Sequence, residues 1–232
     1  MIKFINVTKI YPPDIKALNQ VNLHIKPGEF VSIVGQSGSG KTTLVKSLIG
    51  EEKVSKGKII VGGWDITDIG QREVPFLRRQ IGVIFQDFKL LDKKTLFENT
   101  AFALQVCGQT PKKIKAIVPQ VLKIVGLEGK TRRYPREVSG GEQQRAAIAR
   151  AIVNNPSVIF ADEPTGNLDS KSGAQVMDIL QRLHKEGNTI ILVTHETYTA
   201  EFADRLIHIK DGLVDFDRPT VKQRRTKEEF FK

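Results

Sequence analysis

At 232 residues, with 40% hydrophobic and 27% charged residues, the chain has the balance of a globular protein with a large core, which excludes a small peptide scaffold. A formal charge of +10 asks for an acidic partner: a nucleotide, a nucleic acid or an anionic membrane surface. The single cysteine, Cys107, excludes an internal disulfide and a cysteine metal cluster; with no signal-peptide core and no apolar run of ~20 residues, a cytosolic location is expected.

Two partly alternating segments, IKFINVTKIY and ALNQVNLHIKPGEF, flank Pro12-Pro13-Asp14 and predict antiparallel strands around a turn. The β-branched run VSIVG follows and stops at glycine. There Gly35-Gln36-Ser37-Gly38-Ser39-Gly40-Lys41-Thr42 matches G-x-x-x-x-G-K-[ST], with Thr43 continuing into a helix expected from about Lys41. Glycines let the backbone wrap an anion closely, and the loop amides with the helix N-terminus supply partial positive charge. Lys41 is expected to reach the β- and γ-phosphates of a nucleotide, and Thr42 to place its hydroxyl on Mg²⁺. A merely flexible Gly/Ser loop would not need the whole pattern in a strand-loop-helix setting.

Downstream, KIIVGG and IGVIFQ read as strands, and residues 95 to 155 carry helical periodicity with few strand signals. SVIFAD and TIILVTH read as strands on either side of a helix from Lys171 to Glu186. RLIHIKDGLVDF predicts a closing hairpin with Asp211-Gly212 at its turn. Short apolar strands alternating with helices imply an α/β protein with a mostly parallel sheet, preceded by antiparallel strands and interrupted by a helical insertion of about 88–155. One domain is expected over residues 1–217. The basic stretch 218–232 is expected to be a solvated tail, with contact to a membrane surface as the alternative.

The segment VIFADEP ends an apolar run in adjacent carboxylates, Asp162 and Glu163, which repel unless each is met by something positive or hydrogen-bonding. Consecutive residues of an extended segment face opposite ways, so the two are expected to serve different tasks. Asp162 is the candidate Mg²⁺ holder and Glu163 the candidate general base on the attacking water. A strand end turning at Pro164 would be the plainer account. In VSGGEQQR, Ser139 and Glu142 have capping-box spacing, and Ser139-Gly140-Gly141 also offers a second set of helix N-terminal amides for an anion.

VSGGEQQR, lying between the phosphate loop and the Asp162-Glu163 pair, resembles the signature of ABC ATPases, and the resemblance extends over nearly the whole chain. It implies a P-loop NTPase fold that binds and hydrolyses ATP with Mg²⁺. It further implies that Tyr11 stacks on adenine, that Gln86 at the end of IGVIFQ is the Q-loop glutamine with a catalytic and a metal-binding role, and that Asp169 of Asn167-Leu168-Asp169 belongs to the D-loop. His195 would contact the γ-phosphate. Two copies would meet head to tail on ATP binding, Ser139-Gly140-Gly141 of one closing on nucleotide held by the other.

The stretch IGVIFQDFKLLDKKTLFENTAFAL is similar to the bacterial cell-division cassettes, whereas PTGNLD is shared with lipoprotein-release and macrolide-export cassettes. Asp92, where proline is frequent, and Glu196, where aspartate often follows the histidine, depart from the pattern. The implied partner is an integral membrane protein of the FtsX type, through which ATP-driven closure regulates cell-wall hydrolases; the chain would then be cytoplasmic, peripheral on the inner face of the membrane. Alternatives are the two other transport systems or an ABC ATPase acting on nucleic acid. The last usually needs paired cassettes or a long coiled-coil insertion, so no nucleic-acid partner is expected.

Overall fold

The structure, a computed structural model, describes residues 1–221, 223 and 224. It divides into two compact units, Met1–Arg78 with His184–Arg224, and Arg79–Leu183.

In the first unit, β1 (Ile2–Tyr11) and β2 (Ile15–Ile25) pair antiparallel around the predicted turn. Their alternation is the cause: Ile2, Phe4, Leu23 and Ile25 are buried, while Lys3 and His24 between them face outward. β4 (Lys56–Val61) and β5 (Trp64–Asp65) complete an antiparallel sheet in the order β2-β1-β4-β5. A second, mixed sheet runs β10-β9-β3-β8 and centres on β3 (Phe30–Val34). β3 lies parallel to both β8 (Thr189–Thr194) and β9 (Arg205–Lys210), and β10 (Leu213–Pro219) returns antiparallel on β9. All six residues of β8 are buried, as expected of a strand covered on both faces. Asp211 and Gly212 have φ of 51° and 75°, the left-handed pair that a two-residue hairpin turn needs. The helices of this unit are α1 (Lys41–Leu48), α2 (Val74–Arg79) and α7 (Thr197–Ala200).

In the second unit, β6 (Ile81–Ile84) and β7 (Val158–Asp162) are parallel neighbours. Between them come α3 (Leu96–Val106), α4 (Pro111–Ile124) and α5 (Gly140–Ile152), and α6 (Ser170–Lys185) follows β7. Thr95 with Glu98 caps α3 reciprocally, and Thr110 caps α4 with Pro111 at its first position. α3 packs on α4 and α5, and α5 packs on β6. The insertion expected over about 88–155 therefore lies within this unit.

Three differences from the sequence reading bear on function. β6 stops at Ile84, so Gln86 lies two residues past the strand rather than at its end. β7 stops at Asp162, and Glu163 has φ 45°, so the two carboxylates are separated by a change of backbone conformation and not by strand alternation. β10 runs to Pro219 instead of giving way to a tail near 218. Arg205 meets Asp217 across the hairpin at 2.6 Å, and within β10 the Arg218 guanidinium lies 4.5 Å from the Phe216 ring centre. Thr220 N–H donates to the Asp204 carbonyl, and Gln223 and Arg224 bond Asp204 and Glu201. The rest of the expected tail, Lys222 and residues 225–232, lies outside the described residues. β5, α2 and α7 have two, six and four residues, too few for a periodic signal.

Candidate nucleotide site

The loop after β3 is shaped for close approach. An added Cβ on Gly40, where φ is 109°, would stand 2.3 Å from the Ala17 carbonyl oxygen, and one on Gly35 would stand 2.2 Å from that of Ile209. Neither position admits a side chain, which accounts for two of the motif glycines. Around Gly38 the space is open. Gly40 starts α1 without a side-chain cap, leaving the first-turn amides to some other acceptor. Lys41 is buried and its Nζ donates to the carbonyls of Gly35 at 2.6 Å and Gln36 at 2.8 Å, tying the ammonium across its own loop. Ser39 Oγ is buried with no hydrogen-bond partner. Gln36, Ser37 and Thr42 are exposed, and Thr43 is buried.

The strand register brings His195 to the same edge. Val34 of β3 pairs with Thr194 of β8, so Gly35 and His195 are the first residues past two adjacent parallel strand ends. Loops at the carboxyl ends of parallel strands are where α/β sheets bind ligands. His195 is exposed. Glu196 is the N-cap residue of α7; its carboxylate accepts from the Thr199 hydroxyl at 2.7 Å. Tyr11 ends β1 half-buried, with Lys9 Nζ 4.7 Å from its ring centre.

The second unit gathers the remaining residues. Ile84 pairs with Ala161, so Gln86 and Glu163 each lie two residues past a paired position of neighbouring strands. Both are half-buried, as is Asp162. Gln86 and Asn167 are joined twice: Gln86 Nε2 donates to Asn167 Oδ1, and Asn167 Nδ2 to the Gln86 carbonyl, each at 3.2 Å. Gly166 N–H closes a turn on the Glu163 carbonyl at 3.1 Å. Asp169 accepts from Ser172 N–H and hydroxyl at 3.0 and 2.8 Å, and these bonds hold its carboxyl below the usual range. Ser139 caps α5 in the predicted box with Glu142, and Lys130 Nζ reaches the Glu142 carboxylate at 2.5 Å. That bond is the main reason the Glu142 carboxyl lies below its ordinary value. Ser139 is exposed, Gly140 half-buried and Gly141 buried, its absent side chain making room for Ser172.

Two groups here went unnoticed in the sequence. Gln144 is fully buried and bonds the backbone beyond both strand ends, to the carbonyls of Phe85 and Pro164. Arg150 NH2 donates to the Phe88 carbonyl at 2.9 Å and NH1 to that of Lys89, two consecutive residues with φ near 50°. Burial lowers the Arg150 pKa. The available signal for Gln144 was its helical spacing from buried Gly141 and Ile148, which puts an amide on an apolar stripe.

Among the described residues no helix is long and apolar enough to cross a membrane, and no group of three or more His, Cys, Asp or Glu side chains is placed to hold a metal ion. The family model of the ABC transporter matches residues 18–166. The chain is 49% identical to the cell division ATP-binding protein FtsE of Bacillus subtilis (strain 168) over 92% of its own length and 94% of that protein. To FtsE of Escherichia coli (strain K12) it is 43% identical, over 91% and 96%. Its fold matches the dimeric, post-hydrolysis structure of the ATP-binding cassette MJ0796 bound to ADP and Pi, with TM-score 0.86, 38% identity and coverage of 95% of this chain and 99% of that one. A loop in which two glycines leave no room for side chains, a capped signature helix and this extent of identity have one common explanation: the chain belongs to the ABC transporter family, in the same branch as the FtsE proteins.

Proposed function

We propose that the chain is the ATP-binding and ATP-hydrolysing subunit of an ABC complex of the FtsE kind. It would couple ATP-driven pairing of two copies to an integral membrane protein of the FtsX type, and so regulate cell-wall hydrolysis during division. The observation that carries this reading is the phosphate loop with Lys41 buried across it, in a chain nearly half identical to FtsE over 92% of its length. With ATP present, Lys41 exchanges two neutral carbonyls for phosphate oxygens, a stronger charge-assisted bond. The orphaned Ser39 hydroxyl and the first-turn amides of α1, which no side chain caps, supply further donors to the same anion.

For Mg²⁺ the donor chemistry is suitable: Thr42 in the first unit would lend one hydroxyl, and Gln86 and Asp162 in the second one amide oxygen and one carboxylate, a sparse set of the sort that holds Mg²⁺ when phosphates and waters fill the remaining positions. When bound, the ion would neutralise charge on the transferred phosphoryl group. Glu163 takes the role of general base toward water, held by a left-handed backbone that its surroundings must enforce. Gln86 orients that water, and His195 meets the terminal phosphate from the neighbouring strand end. Tyr11 contributes a ring for the base, while Ser139, Gly140, Gly141 and Asp169 of one copy face nucleotide held by the other. The location that follows is the cytoplasmic face of a membrane, held there by the partner.

The test is purification of the native complex from membranes and identification of its partner by mass spectrometry, alongside an ATPase assay of the isolated chain. An FtsX-type protein and Lys41-dependent ATP hydrolysis support the reading. Recovery of a lipoprotein-release or macrolide-export permease would overturn the division assignment, and absence of Lys41-dependent hydrolysis would overturn the enzymatic one.

A further inference from the structure

Gln144 is fully buried on α5, and its Nε2 makes two bonds, 2.8 Å to the Pro164 carbonyl and 3.2 Å to the Phe85 carbonyl. Phe85 immediately precedes Gln86, and Pro164 immediately follows Glu163. Both carbonyls lie past the last paired residues of β6 and β7, where the ladder no longer supplies donors and a buried carbonyl needs another. One amide therefore pins the backbone beside both groups assigned to the attacking water.

The Oε1 of the same amide is buried without a partner. Reversing the amide would set that oxygen against two carbonyl oxygens, so its orientation is fixed and an unsatisfied acceptor stays in the core. An apolar side chain would avoid that penalty on a stripe otherwise made of glycine, alanine and isoleucine. The cost makes sense if the two bonds matter more than helix packing. Gln144 also lies five positions after Ser139, on the same helix whose first amides are assigned to the partner copy's nucleotide. α5 grips the other side of Gln86 as well, through Arg150 and the carbonyls of Phe88 and Lys89.

We propose that Gln144 is a positioning residue for hydrolysis: it carries the position of the signature helix onto Gln86 and Glu163 through the Phe85 and Pro164 carbonyls. Nucleotide engagement at Ser139-Gly140-Gly141 is thereby linked to the alignment of the water. The inference rests on the roles given to Gln86 and Glu163 above.

The experiment uses the full chain carrying Gln144→Met, which keeps the length and removes both donors. Binding of a fluorescent ATP analogue with Mg²⁺ is expected to be unchanged, because the phosphate loop is in the other unit, while kcat falls about 10- to 100-fold, the scale of a small misplacement of reacting groups. Gln144→His, which retains one ring N–H donor, should recover part of the rate. In a Glu163→Gln background, Gln144→Met should cost little more in single-turnover rate, since both changes act on one unit. A wild-type kcat with only a lowered melting temperature, or fully multiplicative losses, would overturn the proposal. Should Gln144→Met fail to fold, Gln144→Leu, which also removes both donors, takes its place: a wild-type kcat overturns the proposal, and a lowered kcat at unchanged binding, partly recovered in Gln144→His, supports it. Should Glu163→Gln itself turn over normally, the base assignment falls, and the same cycle against Gln86→Ala decides for or against Gln144.

Discussion

Lys41 and Glu163 illustrate how single residues divide binding from chemistry. The ammonium of Lys41 is buried and donates to the Gly35 and Gln36 carbonyls of its own loop, an arrangement that favours arrival of an anion. Lys41→Ala should weaken ATP binding by at least about tenfold, the worth of one lost charge-assisted hydrogen bond of about 1.5–3 kcal/mol, measured by equilibrium titration. Glu163→Gln keeps the shape and removes the base; ATP affinity should persist while kcat drops about 10²- to 10⁴-fold. Normal turnover by that variant would remove the base assignment. The residue types at both positions are plain in the sequence, but the φ of 45° at Glu163 is not. It arises because β7 ends one residue earlier and the Gly166 amide turns back onto the Glu163 carbonyl.

At the scale of elements, the phosphate loop and the signature helix are held by different physics. The loop depends on steric exclusion: Gly40→Ala would force a Cβ to 2.3 Å from the Ala17 carbonyl at a φ unsuited to alanine. A loss of about 1–3 kcal/mol in unfolding free energy, read from denaturant titration, is the expected result. The helix depends on its cap. Ser139→Ala should cost about 0.5–2 kcal/mol. The carboxyl of Glu142 is lowered below its ordinary 4.5 in the folded state, chiefly by the bond from Lys130. A depressed carboxyl contributes stability that is fully present above pH 4.5 and is lost as pH falls through the lower folded value. Lys130→Ala should therefore remove part of the stability at pH 7 and shrink the stability difference from wild type at strongly acid pH, as followed by unfolding titrations at the two pH values. The capping box was legible from three-residue spacing alone, because it is a local motif. The end of β6 before Gln86 was not, because the bonds from Gln144 and Asn167 that organise the backbone there come from residues about 60 and 80 positions away.

For the whole molecule, the prediction concerns assembly. With ATP and Mg²⁺, Glu163→Gln should double in mass by size exclusion with light scattering, whereas Lys41→Ala should stay at the mass of one chain; an ATP-independent mass for Glu163→Gln would argue against nucleotide as the link. The chain's +10 charge should make its retention on anionic vesicles fall steeply with salt, unlike capture by a membrane protein partner through an apolar contact.

What the sequence determined by itself is everything that depends on neighbours a few positions apart. The phosphate loop, the Asp211-Gly212 hairpin, the Ser139–Glu142 cap and the alternation of strand and helix are of this kind, because turn geometry, caps and periodicity are set by residues within one or two turns of chain. Only the tertiary structure decided that His195 shares a sheet edge with the phosphate loop and that Gln86 and Glu163 each follow a paired position of neighbouring strands. It alone revealed that a buried amide at Gln144 bonds beside both of the latter. Those relations are matters of strand register and of buried carbonyls finding donors. Both are settled by packing between segments far apart in the chain, for which a single sequence carries no spacing to read.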